Sequence, residues 1–136
     1  MKALPTLIRV AQRDLDTLRR ALVEEEGRKL AAQTRLSAHD QALAREQELA
    51  RADYESSRAY GGFAAAALQR RRAMEAEIAM LDTEVMRWRG LVTEAHVELK
   101  KLERLMELQA ERDAVAARRA DAAAMDEIAT NRAARR

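Results

Sequence analysis

The chain has 136 residues, 48% of them hydrophobic and 35% charged, with aromatics at 3%, four glycines, one proline and no cysteine. Thirty alanines and sixteen leucines among many Arg and Glu give the composition of long helices, and the lack of cysteine excludes disulfides, cysteine-based metal sites and cysteine nucleophiles. Lys+Arg 25 against Asp+Glu 23 leaves +2, with both signs interspersed in both halves, so neither half carries the one-signed field of a nucleic-acid binder.

The opening Met1-Lys2-Ala3-Leu4-Pro5-Thr6 lacks the uninterrupted apolar stretch of a secretory signal. No run approaches the roughly 20 apolar residues that span a bilayer. A cytoplasmic protein without an integral membrane segment is expected. The first helical pattern runs from about 4 to 59, with Pro5 in the opening turn, where a missing N–H does no harm. Ile8, Leu15, Leu22, Leu36 and Leu43 hold one heptad position, with Lys29 interrupting. The companion position reads Leu4, Ala11, Leu18, Glu25, Ala32, His39, Glu46 and Asp53, apolar early and polar later.

Gly61-Gly62, preceded by Tyr60 and followed by Phe63, predicts the reversal at about 60–63, because glycine costs about 1 kcal/mol in a helix interior. The second helix is expected over about 64–132. Met74, Ile78, Leu81, Val85, Trp88, Val92, Ala95, Leu99, Leu102 and Met106 follow steps of four and three, an unbroken apolar seam. The expected fold is all-α: one domain over 1–136, an antiparallel two-helix coiled-coil hairpin with a C-terminal helical overhang. Counting outward from the glycines, the numbers of facing residues add to about 123, so Leu36 faces Trp88 and the chain beyond about Ala117 is unpartnered. Leu105, Leu108 and Val115 lie off the seam, either because it rotates there or as a second stripe for a partner.

Chemistry is sparse. His39 and His96 lack a companion at metal-ligand spacing, and Glu24-Glu25-Glu26 and Asp126-Glu127 sit on a rod without a cleft to shift their pKa values. Gly61-Gly62 lacks the Gly-Lys-Ser/Thr that completes a phosphate loop. Arg70-Arg71-Arg72 reads as a solvated helix face beside Glu75 and Glu77, with no interleaved aromatics to stack on bases. No enzyme activity, cofactor or metal is expected. Tyr54, Tyr60 and Phe63 gather at the turn, either as a cap over Ala64 and Ala67 or as an exposed anchor for a partner.

These features, with the opening Leu4-Pro5-Thr6-Leu7-Ile8-Arg9-Val10-Ala11-Gln12-Arg13-Asp14-Leu15 and the tail pattern Asp126-Glu127, Ala129 and Arg132, resemble the FliJ family of the flagellar type III export apparatus. The resemblance covers nearly the whole chain. It implies a coiled coil similar to the central stalk of rotary ATP synthases, one that enters the export ATPase ring, promotes its assembly and activity, contacts the cytoplasmic part of the export gate and escorts export chaperones. It also implies a location peripheral to the inner membrane at the flagellar base. On that resemblance the termini, 1–13 with 117–136, are the ring-contacting end, with Leu7, Arg9, Arg13, Asp126, Glu127 and Arg132 as candidates. By position, Tyr54, Tyr60, Phe63, Arg70 and Met74 are candidates for the gate. Two alternatives stand beside it: the equivalent stalk of a virulence secretion system, and a self-associating scaffold with no ATPase partner.

Overall fold

The computed structural model describes residues 3–136, apart from the side chain of Ser56. Two helices, α1 (Ala3–Ala52) and α2 (Tyr54–Ala134), pack against each other as an all-α hairpin, with no strand among the described residues. Contacts group the chain into two units, one holding the turn and one holding both termini.

The turn-bearing unit, Leu15–Thr93, corrects the expected turn. The chain breaks at Asp53, and Gly61 and Gly62 lie inside α2. Asp53 is an N-cap. Its carboxylate Oδ1 accepts the Glu55 N–H at 3.3 Å, which satisfies an otherwise unpaired donor of the first turn, and its carbonyl accepts the Ser57 N–H at 2.9 Å as the first intrahelical bond. Glu55 adds a negative charge beside the positive end of the helix. That cap outweighs the helix-breaking tendency of the two glycines, so residues 54–63 belong to α2 rather than to the end of α1 and a loop.

The seam is the one read from the heptads. On α1 of this unit, Leu15 and Ala32 are buried, while Leu18, Leu22, Leu36 and Leu43 are half-buried. On α2, Ala67 and Val85 are buried, and Met74, Ile78, Leu81, Trp88 and Val92 are half-buried. Val85, at 0% exposure, is the largest fully enclosed side chain among the described residues. The same steps continue toward the turn through Arg71, Ala67, Ala64 and Tyr60.

Moving the turn moves the register. Lys29 pairs with Asp82, Arg35 with Glu77 and Asp40 with Arg71, residue numbers that add to about 111 rather than about 123. Leu36 therefore stands at the level of Met74 and Ile78, and Trp88 at that of Leu22.

The second unit, residues 3–14 with 94–136, follows the same rule. Leu4 and Leu99 are buried at 7% exposure, and Ile8, Ala11, Ala95, Leu102 and Leu108 are half-buried. Coverage ends at Gln109, and every residue from 110 to 136 is exposed. The unpartnered segment thus begins about seven residues earlier than the sequence register implies, because the turn lies nearer the N-terminus. Met106, an expected seam residue, is 45% exposed while Leu108 is half-buried, so the covered face leaves the heptad line there.

Candidate functional site

Four ion pairs of the turn-bearing unit cross between the helices. Lys29 Nζ lies 2.7 Å from Asp82 Oδ1, Arg35 Nη2 lies 2.9 Å from Glu77 Oε1, and Arg89 Nη2 lies 3.6 Å from Glu26 Oε1. The fourth is a small network. Arg71 grips both oxygens of Asp40, Nε to Oδ1 at 2.9 Å and Nη2 to Oδ2 at 3.3 Å, while its Nη1 meets Glu75. The hydrogen bond from Arg71 holds the Asp40 carboxyl below the usual carboxylate range, and Asp40 raises the guanidinium in return. Lys29 lowers Asp82 in the same way, again chiefly through its hydrogen bond.

Lys29 and Arg71 occupy seam positions, where long aliphatic stems cover the apolar row while the charged ends reach carboxylates at its edge. His39 is also on the seam, as its heptad position indicates. Its buried Nδ1 lacks a hydrogen-bond partner and stands 3.6 Å from Asp40 Oδ1. The seam role of Arg71 was legible only by carrying the four-three steps below Met74. Asp53 was missed, because the first helical pattern runs through it to about 59; the signal that could have found it is an acid three residues or fewer ahead of a helical pattern.

Around the turn, Tyr54 is the most exposed aromatic at 77%, and Phe63 is 38% exposed. Tyr60 turns toward the seam, and its ring meets Phe63 with centroids 6.3 Å apart at 39°. Arg70 faces outward and Met74 is half-buried in the seam. The five gate candidates therefore split: Tyr54, Phe63 and Arg70 present themselves to solvent, while Tyr60 and Met74 do so only in part. Leu49 and Leu68, 57% and 49% exposed, are further apolar side chains of the same unit.

The six ring candidates lie in the other unit. Leu7, Arg9, Arg13, Asp126, Glu127 and Arg132 are all exposed; Met1 and Lys2 of that expected end lie outside the described residues. Asp126 stands about 25 Å along α2 beyond the last covered residue, Gln109, at 1.5 Å per residue. The acidic-basic tail group and the N-terminal group are thus separate patches. The tail bears two shallow apolar strips, one along Leu108, Val115 and Ala116, the other along Met125, Ile128, Ala129 and Ala133, the latter bordered by Arg132. Ile128 is 48% exposed and Met125 67%. Leu105, 53% exposed, lines a groove with His96, Val97, Lys100, Lys101 and Arg104. Of the two readings for the off-seam apolar residues, half-buried Leu108 beside exposed Met106 fits rotation of the seam, while exposed Leu105 and Val115 fit a second stripe.

Among the described residues, no group of three or more His, Cys, Asp or Glu is placed to hold a metal ion, and no helix is long and apolar enough to cross a membrane. What the residues offer is exposed helical surface carrying both charge signs and isolated apolar side chains, the material of protein contacts. The profile of the flagellar FliJ protein family matches residues 1–136. The chain belongs to that family. Comparison with curated proteins and with solved structures gave no match. FliJ membership implies a component of the flagellar protein export apparatus.

Proposed function

We propose that this FliJ-family hairpin is a cytoplasmic, stalk-like partner of the flagellar export ATPase, peripheral to the inner membrane at the flagellar base. The termini bear on the ATPase ring and promote its assembly and activity, the turn end contacts the cytoplasmic part of the export gate, and the hairpin escorts export chaperones. The observation that carries the reading is the exposed helix from residue 110 onward, which extends past the last covered residue with Asp126, Glu127 and Arg132 on its surface. A helix that long without a partner inside the chain, in a protein of the flagellar export family, is surface kept for another protein. Its charges of both signs suit contacts that are made and broken, since exposed ion pairs contribute about 0–1 kcal/mol each.

Titration into the export ATPase from the same source tests it, with ATP hydrolysis and ring formation recorded together. The full chain stimulates both. A chain ending at Gln109 keeps its hairpin, because nothing beyond that residue is covered, and loses the stimulation. Undiminished stimulation by the truncated chain sinks the assignment of the ring contact. The family match favours the flagellar system over a virulence one; strong self-association without ATPase binding identifies the scaffold instead.

A further inference from the structure

The apolar seam does not by itself choose a register. Covered side chains recur in steps of four and three on both helices, so sliding one helix past the other by whole heptads keeps seam residues opposite seam residues. Two features make the choice: the reversal at Asp53 and the four ion pairs that cross between the helices. Those pairs join side chains that all keep contact with water, so they are open to screening by salt.

The chain also holds a second place to reverse. If the turn migrates seven residues, the pairing shifts by two heptads and the seam is preserved. Seven residues after Asp53 is Tyr60, immediately before Gly61 and Gly62. The observed register makes no use of either glycine's special properties, since neither has a positive φ and nothing lies within 4 Å of an added Cβ.

We propose that the hairpin has a second register, two heptads along, with its reversal at Gly61-Gly62, and that the Asp53 cap and the ion pairs of Lys29, Arg35, Asp40 and Glu26 hold it in the first. Facing residue numbers then add to about 125. Leu36 meets Trp88 and Leu22 meets Leu102, Leu15 comes to the level of Gln109, Ala11 to that of Asp113 and Ile8 to that of Ala116, while Asp53, released from its cap, comes to the level of Arg71. Met106, exposed in the first register, gains cover, and about the first ten residues of the unpartnered segment are paired. The four ion pairs are lost in exchange: Lys29 comes to the level of His96, Asp40 to Val85, Arg35 to Leu91, and Glu26 toward Glu103. Those mismatches are why the first register prevails. The slip displaces one helix along the other by about 21 Å, and it changes how much of the C-terminal helix is open to a partner. The seam makes the slip discrete.

Spin labels read the register directly, because the chain has no cysteine of its own. One labelled pair, Gln12→Cys with Lys101→Cys, uses exposed positions that are near neighbours in the first register. The other, Gln12→Cys with Ala114→Cys, uses exposed positions that are near neighbours in the second. Double electron–electron resonance is recorded in 50 mM and 1 M salt. In the triple variant Asp53→Ala, Lys29→Ala, Arg71→Ala the first pair lengthens by roughly 10–15 Å, since the axial slip adds at right angles to a helix spacing of 8–10 Å, and the second shortens correspondingly. High salt raises the same population in the unmutated background, and Gly61→Ala with Gly62→Ala abolishes it. Retention of the first-register distances by the triple variant at both salts overturns the proposal. If the triple variant loses its helix content, Gly61→Pro decides, because it breaks α2 at the proposed reversal. Well-defined second-register distances support the slip, and broad distances in both pairs refute it.

Discussion

At the scale of single residues, the Arg71–Asp40 contact is the clearest case of a charge placed by the fold. Arg71 stands on the seam, so its head can be satisfied only at the edge, where Asp40 offers both oxygens. The Asp40 carboxyl is lowered below its ordinary value of 3.8 by that contact, and Asp82 is lowered by Lys29. A carboxylate depressed in the folded state adds stability that is present above the unfolded value and is lost as pH falls through the folded one. Urea midpoints should therefore hold steady from pH 7 to about 5, then fall below pH 4 as these two groups take up protons. Arg71→Met combined with Lys29→Met flattens that acid limb; an unchanged limb removes these pairs from the account. Apolar positions follow a different rule. Leu15 is 2% exposed and Met125 67%, so Leu15→Ala should cost between about 2 and 5 kcal/mol and Met125→Ala almost nothing, a contrast that urea denaturation resolves.

At the scale of elements, the contest between Asp53 and Gly61-Gly62 decides where α1 ends and α2 begins. Removing the cap by Asp53→Ala costs about 1 kcal/mol. Gly61→Ala and Gly62→Ala, each with open space around the new methyl, add about 1 kcal/mol apiece to the stability of the hairpin, measured as a rise in the urea midpoint at constant slope. A loss of stability would mean that the glycines serve the observed conformation after all. The two helices and their seam were legible in the sequence because a heptad pattern depends only on which face is apolar. The turn was not, because two local signals competed seven residues apart and propensity weighed the glycines without the hydrogen bonds that Asp53 supplies. Register failed with it, since heptads pair equally well after a whole-heptad slip. Exposure of the proposed contact residues was legible in part: Tyr54 and Phe63 are outward, whereas Tyr60 and Met74 turn to the seam because the steps of four and three run past Met74 to the turn.

At the scale of the whole molecule, the sequence and the fold agree on a protein that works by surface. Both charge signs are spread along it, the net charge is +2, and the family is one of flagellar export. The segment beyond Gln109 is the part least tied to the rest. It is rich in alanine and continues α2 to Ala134, but it lacks the packed face that supplies most helical stability in proteins. Its amide protons, held by helical bonds alone, should exchange faster than those around Val85, which wait for the hairpin to open. Docking would then do two things at once, binding the segment and suppressing its fraying. The ordering entropy trims the affinity and leaves a partner free to depart quickly. In hydrogen exchange such an encounter leaves a mark with a sharp edge: slowing confined to the amides after residue 109, with no change in those before it.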